Sequence, residues 1–133
     1  PRVLDDLGLV DALESLLSDF EKRSNVSCVF KHNEIPKISN TLSTALYRIG
    51  QEAVTNSLRH SNATTITVEL KTDYEKIILN IEDNGCGFDA VNNNAANGFG
   101  LEGMRERANL VGGKLDISSH LSHGTIITCK VKG

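Results

Sequence analysis

The sequence predicts a two-layer α/β sandwich, an α+β fold with a mixed, mostly antiparallel sheet of about five strands and three helices packed on one face. Three observations predict it: helical stretches whose apolar residues recur at three and four, alternating runs that pair as hairpins, and the way the two kinds take turns along the chain. At 133 residues and 39% hydrophobic content, the chain is sized for a single domain with one core.

The first helix is expected from about Leu9 to Lys22, where Leu9, Leu13, Leu16, Leu17 and Phe20 mark one face. Val26 to Phe30 is a short strand candidate. Ser39 or Asn40 can cap a second helix that runs to about His60, with Ser61-Asn62 ending it. Thr65 to Leu70 and Ile77 to Glu82 alternate as strands, and the polar turn Thr72-Asp73-Tyr74-Glu75 joins them as a hairpin. Phe88 to Asn97 is rich in Asn and Ala, lacks periodicity and is expected to be a mobile loop. Leu101 to Leu110 is helical in pattern and stops at Gly112-Gly113. Leu115 to Ser119 and Thr125 to Val131 close the chain as two strands.

Composition excludes several classes of function. A net charge of -3 with no clustered Lys/Arg run and no Trp leaves no electrostatic footprint for nucleic acid or an anionic membrane surface. No apolar run approaches the roughly 20 residues of a spanning helix. The three cysteines, Cys28, Cys86 and Cys129, are odd in number and far apart, and no secretory leader is present, so a reducing, cytoplasmic setting is expected. The chain opens without an initiator Met, as a piece cut from a longer protein would. Any membrane anchor is then expected outside it.

The chemistry concentrates in four places. From Lys76 the side chains of Ile77, Leu79, Ile81 and Asp83 share one face of a strand, which puts a carboxylate among core aliphatics. Unpaired and ionised there, it would be costly. Asp83-Asn84-Gly85-Cys86-Gly87 follows as a glycine loop, which in isolation also reads as a simple chain reversal. On the second helix, Glu52, Asn56 and Arg59 fall within about 60° of one another, with Leu46, Ala53, Val54 and Leu58 on the opposite side. That face is either a solvated helix surface or a site for a metal and phosphates, with Asn56 as metal ligand, Arg59 on phosphate oxygens and Glu52 as base.

Gly98-Phe99-Gly100-Leu101-Glu102-Gly103 formally matches the dinucleotide fingerprint, but no strand of a βαβ unit precedes it. Its local physics remains: glycines that admit a ligand, then a helix start whose free N–H groups face phosphate. Gly112-Gly113-Lys114 lacks the rest of a P-loop. Gly124-Thr125 opens the last strand, which alone reads as a hairpin. His120 and His123 lack the further ligands of a zinc set and read as turn residues.

Taken in order, these pieces resemble the nucleotide-binding domain shared by bacterial sensor histidine kinases, DNA gyrase, MutL and the ninety-kilodalton heat-shock chaperones, the Bergerat-type ATP-binding fold. Glu52 to Asn56 is similar to that family's N box, Asp83 to Gly87 to its first glycine box, Gly98 to Gly103 to its second, and Gly124-Thr125 to its closing Gly-Thr. Leu4 to Leu13, Arg48 to Ala53 and Gly103 to Ala108 resemble the subgroup typified by nitrate/nitrite sensor kinases. The resemblance covers nearly the whole chain.

It implies binding of ATP and Mg²⁺. Asp83 would accept a hydrogen bond from the adenine amino group, Gly85 and Gly87 would bound the base, and Thr125 would help to hold the adenine end. Asn56 would bind Mg²⁺, Glu52 would be catalytic, and Arg59 and His60 would lie near the nucleotide. Gly98, Gly100, Leu101, Gly103 and Met104 would shape the lid and the phosphate-facing helix start. The resemblance also implies that residues 1–8 are a residual linker from a separate dimerisation and phosphoacceptor domain. Neither His32, His60, His120 nor His123 occupies the acceptor's place, so the acceptor histidine and a downstream response regulator are expected as partners. The isolated domain is expected to be monomeric and the intact kinase homodimeric. No clear phenylalanine-rich box stands between the glycine boxes beyond Phe88 and Phe99. Two other readings share the fold: an ATP-driven conformational module, against which the short lid argues, and an anti-sigma-type kinase that phosphorylates serine.

Overall fold

In the computed structural model the backbone is described for residues 2–60, 62–87, 100–119 and 124–133; the side chains of residues 2–7 and of His60 lie outside the described set. Helix α1 spans Arg2–Arg23 but is broken at Gly8 (φ 84°, ψ 177°), so its amphipathic part begins at Leu9 as the periodicity requires. Of the stretch expected to be a linker, residues 2–7 are helical in backbone up to that kink. Strand β1 is Ser27–His32, helix α2 is Asn40–His60, and the hairpin strands are β2 (Thr65–Asp73) and β3 (Lys76–Asp83). Helix α3 is Leu101–Leu110, and strands β4 (Lys114–Ser119) and β5 (Thr125–Lys132) follow.

The sheet order is β1-β2-β3-β5-β4, with β1 parallel to β2 and every other pair antiparallel. Helices α1, α2 and α3 cover the same face, α1 packing on β1, α2 on β3 and α3 on β4. The predicted two-layer sandwich is therefore observed, with three helices and five strands among the described residues.

Of the two expected cap residues, Ser39 caps α2: its hydroxyl accepts from the Leu42 N–H at 3.1 Å. One local feature differs from expectation. The β2–β3 turn is tighter than the polar run suggested, because Asp73 pairs with Lys76 and only Tyr74 and Glu75 are left to reverse the chain. Strand pairing claimed Thr72 and Asp73 and forced Tyr74 into the left-handed region (φ 57°).

Register lays the inward side chains out in rungs across the sheet. Val68, Ile81, Ile127 and Ile117 form one rung; Leu70, Leu79, Cys129 and Leu115 form the next. Against these pack Leu13, Leu46, Ile49, Val54 and Met104 from the helices, all essentially buried. The rung at the other side of the Ile81 row is different. There Ile66 pairs with Asp83, Asp83 with Thr125 and Thr125 with Ser119, so the core face turns polar across three strands at one end of the sheet.

Candidate nucleotide site

The polar rung exists because period-two alternation carries each strand's inward face to its last residue. Asp83 is only 7% exposed, and its carboxylate is held on both sides. The Ser57 hydroxyl donates to Oδ2 at 2.6 Å and the Gly85 N–H donates to Oδ1 at 2.9 Å. Burying an ionised carboxylate requires such partners, since hydrogen bonds to a charged group each contribute roughly 1.5–3 kcal/mol. Ser57 also lies 3.2 Å from the Ala53 carbonyl, one turn back. It has a single proton to give, and the shorter bond to a carboxylate is the stronger claim on it.

Asn84 fixes the loop. Its Oδ1 accepts from the Thr64 and Thr65 N–H groups at 2.9 and 3.0 Å, and its amide donates to Thr64 Oγ1 at 2.8 Å. The glycine loop is thereby tied to the segment that leaves α2. Gly87 is buried with φ 65°, Gly85 is half-buried, and Cys86 is exposed.

On the neighbouring strand, Thr125 is buried and its hydroxyl lies 2.8 Å from that of Ser119. Gly124 brings them there. A Cβ at that position would collide with the Asp83 carbonyl oxygen, and the residue has φ 79°, so a side chain is disfavoured by both contact and conformation. The Gly-Thr pair thus closes the sheet onto the Asp83 backbone, which a plain hairpin end would not require.

Along α2 the predicted residues divide by environment. Asn56 is buried, at 9% exposure, whereas Glu52 and Arg59 are exposed. The helical face expected to be either a solvated surface or a ligand site is closed at Asn56, which shares a turn with Ser57 as α2 meets the sheet end. Glu52 meets the start of α3: a Cβ on Gly100 would strike its carboxylate. Gly100 is the residue before the helix, left-handed at φ 65°. Leu101 and Met104 are buried core residues, and the Met104 N–H bonds the Gly100 carbonyl at 3.1 Å. Gly103 is exposed. Arg48, Gln51, Glu52, Gly100, Gly103 and Arg107 surround a cleft of about 360 Å³, with Met104 also on its wall.

The structure thus joins Asp83 with Thr125 in one rung and Glu52 with Gly100 across two helices. It does not join Arg59 to either group. The His60 side chain, Gly98, Phe88, Phe99, His120, His123 and the expected loop from Phe88 to Asn97 lie outside the described residues. Ser57 and Ser119 were missed as site residues. The signal for Ser57 was a serine on the apolar stripe one turn beyond Ala53; for Ser119 it was parity with Leu115 and Ile117.

The comparisons with known proteins bear on the family and the fold. The family described as histidine kinase-, DNA gyrase B-, and HSP90-like ATPase matches residues 41–133. The oxygen sensor histidine kinase NreB of Staphylococcus carnosus is 36% identical over 132 residues, which are 98% of this chain and 38% of that protein. The chain therefore spans well under half of that relative. Among solved structures, the histidine kinase AdeS of Acinetobacter baumannii superposes with a TM-score of 0.76 at 18% identity, over 98% of this chain and 72% of that one. The ATP binding domain of PrrB from Mycobacterium tuberculosis gives 0.73 at 18% identity, over 93% of each. At these identities the structures establish the fold.

Proposed function

The chain belongs to the histidine kinase-, DNA gyrase B-, and HSP90-like ATPase family, and from that premise we propose that it is the ATP-binding catalytic domain of a sensor histidine kinase. It would transfer the γ-phosphate of ATP to a histidine on a separate helical dimerisation domain. The relative that matches 98% of this chain is named a sensor histidine kinase, which supports that branch of the family. The observation that carries the reading is the order of groups along α2. Ser57 anchors Asp83, Asn56 stands beside it, and Glu52 lies about one turn back, roughly 6 Å along the axis, against Gly100.

Each group then has a task. Asp83, fixed by Ser57 and Gly85, accepts a hydrogen bond from the adenine amino group, with Gly85, Gly87 and Thr125 around the base. Mg²⁺ fits the donors present. Asn56 offers an amide oxygen, and among the described residues no group of three His, Cys, Asp or Glu forms a protein cage, which suits an ion that takes few protein ligands beside substrate phosphates. When bound, the ion supplies charge neutralisation at the phosphates. Arg59, expected near the phosphates, stands on α2 beyond Ser57, away from Glu52, so no phosphate role is assigned to it. Glu52 receives the proton that the acceptor imidazole releases. Gly98, Gly100 and Gly103 give the lid side its backbone, while Leu101 and Met104 seat α3 in the core so that its start faces Glu52.

Residues 1–8 connect to the dimerisation and phosphoacceptor domain of a homodimeric protein, and a response regulator takes the phosphoryl group onward. The domain is proposed to work in the cytoplasm; separately, no helix among the described residues is long and apolar enough to cross a membrane. Incubation with Mg-ATP and a separately produced phosphoacceptor domain tests the reading. Acid-labile, alkali-stable phosphate on histidine is expected. Acid-stable phosphoserine, or ATP hydrolysis without any transfer, would sink it.

A further inference from the structure

Beyond Glu52, on the side away from Asp83, α2 carries Arg48 and Gln51. Arg48 lies about 13 Å along the helix axis from Ser57, and about 6 Å from Glu52. These residues line the cleft of about 360 Å³ that α3 closes with Gly100, Gly103 and Arg107. Its charge is unusual for a chain of net -3: two guanidinium groups face it against one carboxylate, that of Glu52. The Arg48 Nη1 donates to Gln51 Oε1 at 3.0 Å, an uncharged partner. Among the described side chains, neither Arg48 nor Arg107 lies within salt-bridge distance of any carboxylate, Glu52 included. Arg105, their neighbour on α3, is occupied with the Leu115 carbonyl at 3.1 Å. A concave site thus carries two guanidinium groups on its wall with no carboxylate partner among the described side chains, a charge arrangement suited to an anion.

The order along α2 says which anion. The adenine acceptor comes first, then Asn56, then Glu52, where the phosphate is handed over; what lies past that point belongs to the group that receives it. We propose that the Arg48–Arg107 cleft docks a carboxylate side chain of the phosphoacceptor domain, holding the incoming histidine in line with Glu52. The proposal rests on the histidine kinase reading and names the contact that reading lacks.

Arg107→Glu, Arg48→Glu and the double variant test it, with Arg107→Ala as an exposed change that leaves the α2 contacts intact. Calorimetric ATP affinity should stay within about twofold of the parent. The KM for a separately produced phosphoacceptor domain should rise at least tenfold in the double variant, and its direct binding, followed by fluorescence anisotropy, should weaken in step and lose its salt dependence. Changing the exposed Asp and Glu residues of the acceptor domain to Lys one at a time should find one that restores binding to the double variant. Variants that bind and phosphorylate the acceptor as the parent does overturn the proposal. So does a loss confined to ATP affinity, which would assign the arginines to the nucleotide. Because acceptor binding is read without chemistry, a parent chain that binds the acceptor through these arginines yet forms no phosphohistidine would overturn the kinase reading and leave the docking site standing.

Discussion

The two ends of α2 solve opposite problems. At the Ser57 end a carboxylate is buried and both of its oxygens are held by protein donors; at the Arg48 end a carboxylate and two guanidinium groups stand around an open cleft without pairing. The first arrangement holds its carboxylate in place because an unsatisfied buried charge would cost several kcal/mol; on the proposed reading, selection among bases is then built in before the ligand arrives. The second keeps its charges solvated and available, which suits groups that must engage a partner and release it. On the proposed reading, recognition and transfer are separated along one helix by burial.

The largest effect that sharpens this contrast should come from Glu52→Gln. Rates of phosphotransfer should fall about 10²–10⁴-fold while calorimetric ATP affinity changes little, since a proton acceptor is lost but no buried contact is disturbed. Equal losses in rate and affinity would mean that the two ends are not separate. Next comes Asp83→Asn, which keeps the shape and an acceptor for Gly85 but not the full charge. ATP should bind roughly 10–100-fold more weakly, with the melting temperature changed little; unchanged affinity would remove Asp83 from the base pocket.

Gly124→Ala attacks the rigid end from the backbone. The new Cβ meets the Asp83 carbonyl and the left-handed conformation is retained only under strain, so unfolding should become easier by about 2–4 kcal/mol in denaturant titrations. Gly100→Ala is the matching change at the open end. There the obstacle is the Glu52 side chain, which can swing away, so stability should suffer less and transfer more.

The smallest effect concerns the thiols. Burial pushes Cys129 from its ordinary 9.0 up to about 11, so the fold favours the neutral thiol. Its contribution to stability is complete below pH 9 and is lost as pH rises from about 9 toward 11. At neutral pH an alkylating reagent should label exposed Cys86 first. Cys28, raised by burial and by the Glu21 carboxylate, should follow, and Cys129 should stay unlabelled until the chain unfolds. Protection of Cys86 by Mg-ATP would tie the glycine loop to the nucleotide.

Much of this was legible in the chain. Asp83 was placed on the core face by parity with Ile77, Leu79 and Ile81, and the structure buries it there. The start of α1's amphipathic part, the extent of α2 and α3, and the pairing of β2 with β3 follow from periodicity and caps. The tight turn at Tyr74 was not legible, because its residues carry no turn preference strong enough to compete with cross-strand pairing. Nor was the burial of Asn56, since a helical wheel gives direction but not what stands opposite.

The sequence by itself determined the kinds of element, the face each strand buries and the set of polar residues that interrupt those faces, because alternation and helical periodicity are local properties of the backbone. Only the tertiary structure decided that Ser57 is the partner of Asp83 across 26 positions, that Ser119 stands beside Thr125, and that Gly100 lies against Glu52. Those contacts depend on sheet order and on where α2 crosses the strands. Both are fixed by how the whole core closes, which no local pattern records.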